Sequence, residues 1–271
     1  MKIKLLGTAA AEGIPGIFCN CDICTYARKH GGKDIRTRSQ AIINDKYLVD
    51  FPMDSYMHSI NFDINFYDIN HILITHPHGD HFYPQEIEFR CPPYAHGQEG
   101  KLLNVYGPGS IKELFPDFPS KQNQDYIKFH KLNAFETYYI DELQVTPMTA
   151  LHSRDFECFV YLIEHEGKKL LYGHDSGFFP QETMNYLKNT IVDCVLCDTT
   201  YGKKIDGNNH MGVLDNFQLR NLLVEQNSAD EDTKFILTHL SHNGELTHKQ
   251  LERMARDNGF IAAYDGYEHE I

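Results

Sequence analysis

The chain has 271 residues, enough to bury a substantial core, and it is acidic: 25 Lys and Arg stand against 38 Asp and Glu, a formal net charge of −13. Its basic residues fall in scattered pairs such as Lys2/Lys4, Arg36/Arg38 and Lys203/Lys204, so a long nucleic acid would be repelled by most of the surface and is not expected as a partner. No apolar run approaches the roughly 20 residues a bilayer-crossing helix needs, and seven cysteines, three of them between positions 19 and 24, argue against a disulfide framework and for reduced thiols in the cytoplasm.

In chain order, short apolar strands alternate with longer amphipathic stretches, without repeats or a linker, which predicts a single domain over residues 1–271. Met1 to Ala11 briefly imitates a signal peptide, but Gly7 and Thr8 dilute its short apolar part, so Ile3 to Leu6 reads as the first strand. Gln40 to Ile43 and Tyr47 to Val49 flank the turn Asn44-Asp45 as a hairpin, and Ile69 to Thr75 reads as a buried strand. A second series begins near Glu142, runs through Phe159 to Ile163, turns at Glu166-Gly167 and returns as Lys169 to Tyr172. Next come a helix around Glu182 to Leu187, a strand Val192 to Leu196, a helix from about Gly212 to Glu225 and a strand Lys234 to Leu237. Thr247 with Gln250 forms a capping-box pattern that opens a helix ending near Asn258-Gly259, and a final strand starts at Phe260. The pattern predicts two mixed sheets packed together and covered outside by helices.

The strand at Ile69 runs into Thr75-His76-Pro77-His78-Gly79-Asp80-His81. Imidazole nitrogen and carboxylate oxygen suit zinc, manganese or iron. Alternate residues leaving a strand present side chains to one side, so His76 and His78 can hold one ion while Asp80 and His81, past the turn, serve a neighbouring one. Further candidates close other strands: His152 follows Val145 to Leu151, Asp175 follows Leu170 to His174, and His239 follows Phe235 to Thr238. Two divalent ions against two ligand carboxylates and a hydroxide leave such a pocket about one unit positive, which suits a small anionic substrate. Asp50, at the end of Tyr47-Leu48-Val49, is either a hydrogen-bond partner for a ligand imidazole or an ordinary strand-end residue.

Cys19-Asn20-Cys21-Asp22-Ile23-Cys24 places three thiols close enough to wrap one zinc, with a fourth ligand needed; bystander thiols are the alternative. His30, His58, His71, His96, His130, His165, His248 and His269 have no partner at ligand spacing and are expected in solvent, and His174 is expected on the face opposite Asp175.

Taken together, His-x-His-x-Asp-His followed by His152, Asp175 and His239 resembles the metallo-β-lactamase fold superfamily, from Gly7 to the last strand. The resemblance implies an α/β fold, a four-layer αββα sandwich, with His76, His78 and His152 on a first metal, Asp80, His81 and His239 on a second, and Asp175 bridging them. Within the superfamily, Cys-x-Cys-x-x-Cys near the N-terminus is similar to PhnP-type phosphodiesterases and to PqqB-type proteins, which implies His242 as the fourth ligand of a structural zinc. Asp198 to Gly202 and Asn208-Asn209-His210-Met211-Gly212 also resemble the PhnP type, where a histidine at the position of His210 assists catalysis by steadying an oxyanion or protonating the leaving oxygen.

The implied activity is that of a binuclear hydrolase, with two divalent ions (zinc or manganese, iron also admissible) beside one structural zinc, cleaving a small or cyclic phosphodiester. Thr8-Ala9-Ala10-Ala11 departs from relatives with a second glycine there. The competing readings are an RNase Z-like tRNA 3′-processing enzyme, a PqqB-like iron protein doing oxidative chemistry, and a metal-binding scaffold without catalysis. The sequence allows a homodimer without specifying one, and no membrane partner is expected.

Overall fold

A computed structural model describes residues 1–271. Its elements, in chain order, are β1 (Lys2–Gly7), α1 (Asp22–His30), β2 (Gln40–Ile43), β3 (Tyr47–Val49), α2 (Ser55–Asn61), β4 (His71–Leu73), α3 (Pro84–Ile87), β5 (Leu103–Gly107), α4 (Ser110–Leu114), β6 (Ile127–Lys131), β7 (Tyr138–Ile140) and β8 (Leu143–Thr149). There follow β9 (Phe159–His165), β10 (Lys168–Gly173), α5 (Gln181–Leu187), β11 (Cys194–Asp198), α6 (Val213–Glu225), β12 (Lys234–Thr238), α7 (His248–Arg256), β13 (Ile261–Ala262) and β14 (Tyr267–Glu270).

The strands form two seven-stranded sheets, ordered β14-β1-β2-β3-β4-β5-β6 and β13-β12-β11-β10-β9-β8-β7. In each, the early strands pair antiparallel and the later ones parallel: β1 to β3 and β7 to β10 are antiparallel ladders, while β3 to β6 and β10 to β13 run parallel. Alternation along each strand sends side chains to two cores. Ile3, Leu5, Tyr47 and Val49 of the first sheet meet Val145, Tyr161, Tyr172 and Leu196 of the second between the sheets. Leu6, Ile42, Leu48 and Ile72 face outward onto Ile87 of α3 and Ile111 of α4. Leu171, Val195 and Leu237 face outward onto α1, α5, α6 and α7 through Ala27, Leu187, Leu219 and Leu251. The result is the expected αββα sandwich, in which burial of both faces explains the continuous apolar runs of the parallel strands.

Two cross-sheet bonds lock the strand carrying the histidine motif. Buried Tyr161 donates its hydroxyl to Ile74 O at 2.6 Å, and Phe159 N donates to Thr75 O at 2.9 Å. The strand expected over Ile69 to Thr75 stops at Leu73, because Thr75 N–H bonds the Asp50 carboxylate at 2.8 Å instead of a neighbouring strand. The strand expected from Phe260 is only the short β13, after which the chain turns back so that β14 pairs with β1.

Candidate metal centre

Six strands end along one edge of the sandwich, and the polar residues just beyond them converge: Asp50 after β3, His76 to His81 after β4, His152 after β8, Asp175 after β10, Asp198 at the end of β11 and His239 after β12. Asp50, Asp175 and His239 take left-handed backbone angles, with φ of 64°, 60° and 57°. That conformation turns each side chain out of its strand and toward the centre.

The ring nitrogens of His76, His78 and His152 lie together, with His76 Nε2 2.9 Å and His152 Nε2 3.0 Å from His78 Nδ1. Asp80, His81, Asp175 and His239 form a second group, and within each group one potential ligand atom per residue lies within 4.8 Å of the others. Asp175 touches both: Oδ2 is 3.3 Å from His76 Nε2 and 3.1 Å from His81 Nε2, and Oδ1 is 3.2 Å from His152 Nδ1. The structure therefore brings together all seven residues singled out in the sequence. His81 Nε2, His152 Nδ1, Asp175 Oδ1 and His239 Nε2 are buried yet make no hydrogen bond. Buried polar atoms without partners are costly, and imidazole nitrogens and a carboxylate aimed at one another fit divalent cations between them.

The opposite edges of the rings are tethered. His81 Nδ1 bonds Asp50 Oδ2 at 2.7 Å, His76 Nδ1 lies 3.0 Å from Thr75 Oγ1, and His239 Nδ1 lies 2.8 Å from Thr200 Oγ1 and 3.2 Å from Asp198 Oδ2. Each tether leaves Nε2 directed at the centre. His210 Nδ1 stands 3.1 Å from both Asp175 Oδ1 and Asp198 Oδ2. Burial alone would lower the His210 pKa; the protein's own carboxylates, Asp198 and then Asp175, outweigh it and hold the imidazolium up to about 11. Asp198 and Thr200 enter the sequence reading only within a stretch of resemblance, and Thr75 only as the end of a strand and the head of the histidine motif; none is given a role there. Asp198 carried the same signal as Asp175, an acid closing a buried strand.

Cys19, Cys21, Cys24 and His242 form a separate cluster, with His242 Nδ1 3.6 Å from Cys19 Sγ and 3.5 Å from Cys21 Sγ. Cys21 is also the N-cap of α1. Its thiol is held down to about 7 although burial pushes the other way, because the Cys24 N–H and the neighbouring thiols and His242 favour the thiolate. A tight glycine contact fixes the loops at this end: a Cβ on Gly202, whose φ is 53°, would lie 2.2 Å from Gly244 O. It presses the loop after β11 onto the loop carrying His239 and His242.

Two histidines expected in solvent are buried. His58 is 0% exposed, with Nδ1 2.7 Å from Gln40 Oε1 and Nε2 2.7 Å from Thr37 Oγ1, and His248 is 7% exposed, with Nδ1 2.9 Å from an Arg36 nitrogen. His71, His130, His165 and His269 are half-buried, leaving only His30 and His96 of that set exposed. His174 is buried too: the strand turns at Asp175, and its ring stacks 5.5 Å from that of His239, behind the centre.

The centre opens into a cavity of about 440 Å³ whose wall includes His78, Asp80, His152, Asp175, His210 and His239. The family model described as a beta-lactamase superfamily domain matches residues 60–240. Among solved structures, a new diphosphatase from the PhnP family is similar to this chain at 19% identity and a TM-score of 0.75, covering 100% of this chain and 97% of that one. Zn(2+)-bound PqqB from Methylobacterium extorquens has 17% identity, a TM-score of 0.74 and full coverage of both chains. The short form of human tRNase Z has 15% identity and a TM-score of 0.67 over 100% of this chain and 99% of that one. No functionally curated protein matches the chain by sequence.

Proposed function

The chain belongs to the β-lactamase superfamily and has its metallo-hydrolase fold, and on that premise we propose that it is a metal-dependent phosphodiesterase acting on a small or cyclic phosphodiester. His76, His78 and His152 would hold one ion, Asp80, His81 and His239 a second, with Asp175 between them; zinc and manganese suit these donors and iron is admissible. When bound, such a pair supplies an acidified water and positive charge facing the substrate's oxygens. The chain's own contribution is to orient those ligands and to supply a proton. His210 Nδ1 is hydrogen-bonded to Asp198 Oδ2 and faces Asp175 Oδ1, so Nε2 is the atom free to hand a proton to the leaving oxygen. Cys19, Cys21, Cys24 and His242 would hold a structural zinc that braces the loop of His239.

The observation that carries this reading is the convergence of seven ligands in one open cavity, with His210 beside them between Asp175 and Asp198. The phosphodiester class draws support from the Cys/His242 cluster, which carries the resemblance to PhnP-type phosphodiesterases, while the PhnP-family neighbour, a diphosphatase, supports phosphate chemistry more broadly. The acidic chain disfavours a long RNA, so we expect no cleavage of precursor tRNA. No helix is long and apolar enough to cross a membrane. Thiols kept free for zinc suit a reducing compartment, and we place the protein in the cytoplasm.

The test is a panel of bis(p-nitrophenyl) phosphate, phosphonate and lactone substrates under Mn²⁺ and Zn²⁺, with metal analysis of wild type beside Asp175→Ala and Cys21→Ser. Phosphodiester turnover, loss of about two ions in the first variant and about one in the second is the expected outcome. Silence on every substrate at full metal occupancy would favour a scaffold, and dominant iron with oxygen uptake would favour oxidative chemistry.

A further inference from the structure

Glu12 stands where the two candidate metal clusters meet. It lies on the loop between β1 and α1, and this loop is braced: Ala10 N donates to Leu240 O at 2.9 Å, Gly13 N donates to Ala10 O at 3.0 Å, and Arg38 Nε donates to Ala11 O at 2.8 Å. All of its recorded polar contacts use Oε1, which accepts from Ser241 Oγ and Asn243 Nδ2 and lies 3.4 Å from His242 Nε2. Oε2 is left without a partner in a side chain that is 32% exposed and forms part of the wall of the substrate cavity.

The rest of that wall sharpens what Oε2 can meet. The cavity lining contains no lysine and no arginine; beyond the candidate metal ligands, His210 and Glu12 itself, its polar residues are Thr200, Tyr201, Asn209, Ser241 and Asn243, all uncharged. Arg38, which supports the loop from behind, is paired with Asp54 at 3.0 Å. A phosphodiester brings one negative charge, about what a binuclear centre with a net charge near one unit can neutralise. Apart from His210, which is committed to the leaving oxygen of the scissile diester, a second phosphate on the same molecule would find no cation in this wall and would face a carboxylate. A hydroxyl would find an open, charged acceptor, the stronger kind of hydrogen bond.

From this we infer that Glu12 is a specificity-determining residue that selects phosphodiesters whose esterified group is uncharged and carries free hydroxyls, and that rejects those bearing a further phosphate. The inference rests on the phosphodiesterase reading above. Its second role is positional, since Oε1 steadies His242 and so ties the substrate wall to the Cys/His242 cluster.

The experiment compares two probes, adenosine 2′,3′-cyclic phosphate with a free 5′-hydroxyl and the same molecule carrying a 5′-phosphate, in wild type and Glu12→Gln. The amide retains an oxygen to accept from Ser241 and removes only the charge. Wild type should favour the 5′-hydroxyl probe by tenfold or more in kcat/KM and in calorimetric Kd, and Glu12→Gln should shrink that ratio by about tenfold, the scale of a unit-charge repulsion largely screened by water. A ratio that is the same in both proteins would overturn the inference. So would a reduced ratio that appears only together with loss of zinc from Glu12→Gln and is absent from zinc-replete protein, which would make the residue a support for His242 only. Absence of turnover on every diester would sink the phosphodiesterase reading, while the Kd ratios would still decide the role of Glu12.

Discussion

Asp50 Oδ2 lies 2.7 Å from His81 Nδ1, with both side chains 0% exposed. The same carboxylate accepts from Thr75 N at 2.8 Å and Thr75 Oγ1 at 2.9 Å, so one buried acid both ends β4 and aims a ligand ring. Asn at this position has one acceptor where the carboxylate has two. Asp50→Asn should therefore weaken the ion held by Asp80, His81 and His239 by roughly 10- to 100-fold, the usual effect of losing an imidazole's outer partner. Chelator competition followed by metal analysis measures this, and the Cys/His242 zinc should stay in place.

Asp198 supports His210 from the other sheet. Removing its charge in Asp198→Asn leaves the imidazolium less stabilised, so its pKa falls from about 11 and the alkaline limb of the pH–rate profile moves to lower pH. We expect kcat on adenosine 2′,3′-cyclic phosphate, whose leaving alkoxide needs a proton, to fall by at least tenfold, part of the roughly 10²- to 10⁴-fold that one proton donor contributes. A profile superimposable on that of wild type would remove Asp198 from the proton donor's support.

Cys21 both lies beside His242 and caps α1. Cys21→Ser should lower the melting temperature, remove about one zinc, and loosen metal at the His239 site while leaving the type of reaction unchanged. Unaltered zinc content and melting temperature would exclude a structural zinc there.

His58 makes stability depend on pH. Burial lowers its pKa from 6.5 to about 4. As pH falls below about 6.5 the unfolded chain takes up a proton that the folded chain refuses until about pH 4. The stabilisation is thus complete above 6.5 and declines through that window by about 3 kcal/mol. Urea midpoints of wild type and His58→Gln at pH 7 and pH 4.5 test this: the variant should be weaker at pH 7 yet lose less on acidification.

The ligand positions were legible because each is a His or Asp closing an apolar strand, a local pattern that needs no partner to be seen. What escaped the sequence depends on distant pairing. β14 is recognisable only once β1 offers it an edge. β5, β6, α3 and α4 lie in a stretch where β6, Ile127–Lys131, has just one fully buried residue and little alternation to read. α1 was hidden behind the thiols that begin it. His58 and His248 look like solvent residues until Gln40, Thr37 and Arg36 arrive from elsewhere in the chain.

Asp50, Asp175 and His239 share a backbone conformation, φ between 57° and 64°, that glycine adopts without penalty and other residues adopt at a cost of order 1 kcal/mol or more. At Asp175 and His239 durability and chemistry are opposed, whereas the bonds Asp50 accepts from Thr75 and His81 offset its backbone cost. A library selected for heat resistance alone, with no demand for activity, should accumulate glycine and asparagine at 175 and 239. The survivors would be sturdier proteins with an emptied centre, and that enrichment would mark the positions where selection for activity has accepted a less stable fold.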